Sequence, residues 1–185
     1  MGAAGLASGT LERRAAAAAA GASCPSARAG AVTDTVGATT SPLGVGGTTR
    51  DDLVSFATTF NSIRVENCLE PIALDNFTWD SCMEQRLFWM AEDPSTDPLS
   101  AWGHLGSQRS DGVPSVGCDG NLAGGADNTG SMVAWKWWVS DAHRVSLYRP
   151  ASSIAGACIA FAMTHGGFPN EAPTFTRAAA RWYDC

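Results

Sequence analysis

The sequence predicts an α+β fold, and three observations carry that reading. Apolar residues recur at helical spacing early in the globular part, a tryptophan-rich helical segment follows, and strand-like runs appear only in the last third. Thr49, with Asp52 three residues on, forms a capping signal. Behind it Leu53, Phe56, Ala57, Phe60 and Ile63 share one face of a helix over 50–67. Pro71 stops any continuation, so 69–74 is a connector. Met83, Leu87 and Met90 mark a second helix over 79–91, ended by Asp93-Pro94. From 93 to 130 the chain is rich in Gly, Ser, Asp and Pro, long for a structureless connection, so it is either functional or stapled down, and Cys118 points to stapling. A third helix over 131–139 carries Trp135, Trp137 and Trp138, and a further helical turn runs past His143 to Tyr148. The small apolar run 154–163 suits a strand buried on both faces, and 175–183 is its hairpin partner, with His165 in the exposed loop between them and a further short strand near Leu122-Ala123.

Composition narrows the function classes. A net charge of −6 with Lys136 as the single lysine argues against nucleic acid, whose phosphates need Lys and Arg to neutralise them. No run approaches the roughly 18–20 apolar residues of a membrane span. Residues 1–47 are mostly Ala, Gly, Ser and Thr. Within them Arg13-Arg14, the run from Ala15 to Ala22, Pro25 and Ala27-Arg28-Ala29 match a secretory signal over 1–29 cleaved after Ala29, followed by a disordered linker over 30–49 and a domain over 50–185. The plainer alternative is a low-complexity tail. Lipidation of Cys24 is a weaker variant, since no Leu stands before it. Six cysteines in an exported domain read as disulfides, and none lies in a Cys-x-x-Cys pair that would suit structural zinc. Because Cys68 ends the first helix and Cys82 starts the second, one expected bridge is Cys68–Cys82; the other is Cys118–Cys158, which would anchor the long loop to a strand, with Cys24 lost and Cys185 unassigned.

The order of motifs adds a family resemblance. Asn61-Ser62-Ile63-Arg64, Pro71-Ile72-Ala73-Leu74 and Trp79-Asp80 resemble the Asn-x-x-Arg, Leu-x-Pro-Leu and Trp-Asp opening of the cysteine-rich secretory protein/antigen 5/pathogenesis-related (CAP) superfamily. Gly120-Asn121-Leu122-Ala123 is similar to its Gly-Glu-Asn-Ile/Leu-Ala, and the stretch from Trp137 to Arg144 to the bacterial Trp-x-x-Ser-Pro-x-His-Arg. Ile154-Ala155-Gly156-Ala157 resembles its Ile/Val-Gly-Val-Gly strand.

The resemblance implies a three-layer α-β-α sandwich around a small, mainly antiparallel sheet. It places His104 and His143 in a common cleft with Asp119, Asn121 and Ser140 beside them. Two imidazoles imply weak zinc or copper binding at most. The family's Glu falls on Gly120, which leaves Asp119 one place early as the nearest acid and weakens a hydrolytic reading. The resulting expectation is a secreted, non-enzymatic binding module for a lipid, another small apolar ligand or a cell-envelope component. Its rivals are a metal-assisted hydrolase using His104 and His143, and a structural wall-associated domain with a relict cleft.

Overall fold

Thr49 starts the first long helix of the domain by the mechanism its sequence offers. Its side chain accepts from the Asp52 N–H while Asp52 Oδ2 accepts from the Thr49 N–H at 2.8 Å. The structure, a computed structural model, describes residues 3–21, 23–97, 99–167 and 172–185. In chain order it contains α1 (Ala3–Ala19), α2 (Arg50–Glu66), β1 (Phe77–Trp79), α3 (Ser81–Ala91), β2 (Asn121–Ala126), α4 (Gly130–Val139), the single turn α5 (Asp141–His143), β3 (Ala157–His165) and β4 (Phe175–Asp184). A wider π-type turn, Arg144–Tyr148, follows α5 directly. The fold is α+β, as the periodicity predicted. Strand β1 is new relative to the sequence reading, since three residues are too few to show a period of two.

The four strands lie in the order β1-β3-β4-β2, with β1 parallel to β3 and the other pairs antiparallel. Alternation along β3 explains its continuous apolar sequence. Ile159, Phe161 and Met163 join the core under α2 and α4, whereas Ala160 and Ala162 face Met83, Leu87 and Met90 of α3. The sheet is therefore the middle of three layers. Phe56 of α2 stacks on Phe161 at 4.4 Å and meets Trp137 of α4 edge-on at 5.7 Å, so the larger core is an aromatic cluster.

Residues 30–49, expected to be a disordered linker, are instead packed against the domain. Val32 and Val45 are buried. Thr48 Oγ1 accepts from Met163 N at 2.9 Å, and Gly46 exchanges backbone hydrogen bonds with His165. Glu84, buried on α3, accepts from Thr48 N, Thr39 Oγ1 and Trp79 Nε1, and Asp34 accepts from Trp79 N at 2.6 Å. A strap poor in large apolar residues can thus be ordered by a buried carboxylate and free strand edges. His165, expected in an exposed loop, ends β3 and pairs through Nε2 with Asp52 at 2.7 Å.

The four cysteines read as bridged are all bridged, but to other partners. The disulfides are Cys24–Cys68, Cys82–Cys118 and Cys158–Cys185. Residue Cys68 takes a left-handed conformation (φ 56°) just past the end of α2, which turns it to the N-terminal segment rather than to α3. Cys118 N donates to Cys82 O at 2.9 Å, seating the long loop on the start of α3. Pairing of Cys158 with Tyr183 across β3 and β4, extended by Cys185 N donating to Gly156 O, brings Cys185 to Cys158. Cys24, expected to leave with a leader, holds a bridge to the domain.

Candidate functional site

The site is assembled by the loop between α3 and β2, by β2 itself and by the turn after α4. Arg86 of α3 fixes the loop. Its guanidinium is fully buried and donates to the carbonyls of Gly103 at 2.8 Å and His104 at 2.7 Å, and to Ser107 Oγ at 2.6 Å. Its ring neighbour is Trp89, 4.3 Å away. Burial lowers the Arg86 pKa and the Asp119 charge works in the opposite direction. Sequence reasoning did not single out Arg86. The signal was present, since Arg86 falls within the apolar stripe of Met83, Leu87 and Met90.

His104 and Asp119 meet: Nδ1 lies 2.8 Å from Asp119 Oδ1. Asp119 also accepts from Gly120 N at 2.9 Å and Leu105 N at 3.2 Å. Burial alone would raise the Asp119 pKa, but the bonds from His104 and the two N–H groups outweigh it and hold the carboxyl below its ordinary value. The ionised carboxylate fixes Nδ1 as the donor, which leaves Nε2 of an exposed ring for a ligand.

Asn121 and His143 are joined through Ser146. Ser146 Oγ donates to Asn121 Oδ1 at 2.6 Å, while Asn121 Nδ2 donates to Ala180 O at 3.1 Å. The turn bearing His143 is thereby tied to the edge strand β2. Burial lowers the His143 pKa, and the charge of His104 acts in the same direction. Ser140 sits at the corner between α4 and α5, where its carbonyl accepts from Arg144 N at 2.8 Å. Its side chain makes no capping bond to α5.

The zinc or copper expected at His104 and His143 finds no ligand set. Among the described residues, no three His, Cys, Asp or Glu side chains converge as a metal centre requires. Asp119 engages His104 Nδ1, and the His143 ring makes no hydrogen bond to a described residue.

Beyond the polar cluster an apolar groove of about 280 Å³ is lined by Leu99, Trp102, Gly124, Gly125 and Phe175. It shares β2 with Asn121 and its loop with His104. A Cβ on Gly124 would stand 2.9 Å from the Trp102 ring, so glycine is what lets the indole lie on the strand. No family model, curated protein or solved structure matches this chain. Its site is therefore read from its own geometry. No helix among the described residues is long and apolar enough to cross a membrane. The three disulfides fit an oxidising, extracellular setting.

Proposed function

We propose that this chain is an exported CAP-like binding module, without catalytic activity, for a small amphiphile. The observation that carries this reading is that one strand and one loop bear two unlike sets of residues. His104, Asp119 and Asn121 offer hydrogen bonds, and the Trp102–Gly124–Phe175 groove offers apolar contact. A lipid head group suits the first and its hydrocarbon the second. The CAP resemblance supports the same reading through the order of its motifs and a sheet enclosed by helices on both faces.

Equilibrium titration with a fluorescent long-chain fatty acid tests it. Trp102→Ala should weaken binding about tenfold, equivalent to about 1.4 kcal/mol. Gly124→Val, which displaces the indole, should do the same. Unchanged affinity in both variants would sink the proposal.

One observation favours a second reading, a hydrolase. The His104–Asp119 pair is the orienting arrangement a general base uses. Turnover of a chromogenic ester that vanishes in His104→Ala would support it, whereas turnover surviving in that variant would assign the activity elsewhere.

A further inference from the structure

We propose that export processing cuts the chain between Ala22 and Ser23, so that Cys24 stays in the mature protein. This rests on the export reading above but locates its processing site by a separate line of observations. The first is sulfur bookkeeping. The chain has six cysteines, and the structure joins them in three bridges with none left free. Cleavage after Ala29 would remove Cys24 and leave Cys68 as an odd thiol in an oxidising compartment.

The second is where the domain begins physically. None of the described side chains of α1 is buried, and Leu11 is 67% exposed. Helix α1 touches the domain through polar bonds at the end of α2: Thr10 to the Asn67 side chain, Arg13 Nε to Asn67 O at 2.9 Å and Arg14 Nη2 to Glu66 O at 2.8 Å. Water can replace such contacts. The character changes at Val32, and Cys24 ties the exposed stretch before it to the end of α2. Arg28 pairs with Glu70 at 3.1 Å, Val32 enters the core, and Arg50 donates to the carbonyls of Val32 and Asp34. A cut upstream of Cys24 removes only what the core does not use.

The third is the sequence at that boundary. Ala20-Gly21-Ala22 closes the alanine run that follows Arg13-Arg14 and is the Ala-x-Ala nearest upstream of Cys24. Ala22 itself lies outside the described residues. The same disulfide argues against Cys24 as a lipid-bearing N-terminus, because its sulfur is already bonded.

The chemistry is hydrolysis. Water adds across the Ala22–Ser23 amide, the Ala22 carboxylate leaves with the leader, and Ser23 becomes the new α-amine. The three bridges then form by thiol–disulfide exchange with disulfide-carrying oxidants of the compartment, which take up six electrons as six thiols lose their protons.

The test is full-chain expression with a C-terminal affinity tag in an exporting bacterial host. The exported protein is read by N-terminal sequencing and by intact mass after alkylation, with and without prior reduction. The expected product begins at Ser23, takes up no alkylating groups before reduction and six after it. Ala22→Phe should leave the leader attached, and Cys24→Ser should be cut normally but expose one thiol. An exported product beginning at Gly30, or at a lipid-modified Cys24, would overturn the proposal and leave the export reading standing. Uncut protein confined to the cytoplasm would overturn both.

Discussion

At the residue scale the most consequential pairing outside the site is that of His165 with Asp52. The bond to Asp52 raises the His165 pKa above its ordinary 6.5, with burial opposing it. Burial would raise the Asp52 pKa, but the bonds from His165 and Thr49 lower it below 3.8. The folded protein holds the His165 proton more tightly than the unfolded one, so the contribution is full below about pH 6.5 and is lost as pH rises through the folded pKa. For Asp52 it is present above its unfolded value and lost as pH falls through the depressed folded pKa. The pair therefore stabilises most between about pH 4 and 6.5. His143 acts in the opposite sense, because its lowered pKa costs stability as pH falls below 6.5. A comparison with His165→Gln removes that background. Urea unfolding should show wild type ahead of the variant at pH 5.5 by up to about 1 kcal/mol, since the ring is partly exposed, with the gap closing by pH 8.5. A gap independent of pH would mean that the His165 proton is not shared with Asp52.

At the scale of elements, what was legible in the sequence is what hydrophobic periodicity encodes. The helices at 50–66, 81–91 and 130–139 and the β3–β4 hairpin follow from apolar spacing and capping residues. Elements held by polar bonds gave no such signal. The strap over 30–49 has few large apolar residues, and its order depends on Glu84, which sits far along the chain on α3. The site was half legible. Motif order singled out His104 and Asp119, which meet at 2.8 Å, but Arg86 and Ser146, which hold the loop and the turn after α4, act through contacts that no spacing reveals. The strap yields a prediction at this scale. A Cβ on Gly47 would stand 2.2 Å from Thr39 Oγ1 and 2.8 Å from Glu84 Oε1. Gly47→Ala should therefore destabilise the protein by about 1–3 kcal/mol, because a buried hydrogen-bonded carboxylate has little room to move. Hydrogen exchange should locate the loosening at 39–48 and leave α2 and α4 protected. Uniform protection across the strap would show that Glu84 is not what secures it.

For the whole molecule, the disulfides divide the labour between fold and site, and their pairing could not be read from the chain because it follows tertiary geometry. The bridge Cys158–Cys185 joins the ends of two paired central strands, where the ladder already sets the register. Cys82–Cys118 is different. It spans 36 residues and ties a loop with few apolar anchors to the start of α3. Asp119, the partner of His104, is the next residue after Cys118. Arg86 still holds the loop at Gly103 and His104, and Arg109 holds it through the carbonyls of Trp89 and Glu92. Removing the bridge therefore frees one end of the loop without melting the sheet. Loop closure alone gives it a contribution of about 4 kcal/mol, a figure strain or residual structure can reduce. In the double variant Cys82→Ala, Cys118→Ala, global unfolding should fall by about 2–4 kcal/mol while the β3 and β4 amides remain the slowest to exchange. Fatty-acid affinity should fall further than in a double variant of Cys158 and Cys185, because only the first bridge positions Asp119 and the Trp102 loop. Equal losses of affinity in the two double variants would show that binding depends on overall stability and not on the loop that Cys118 anchors.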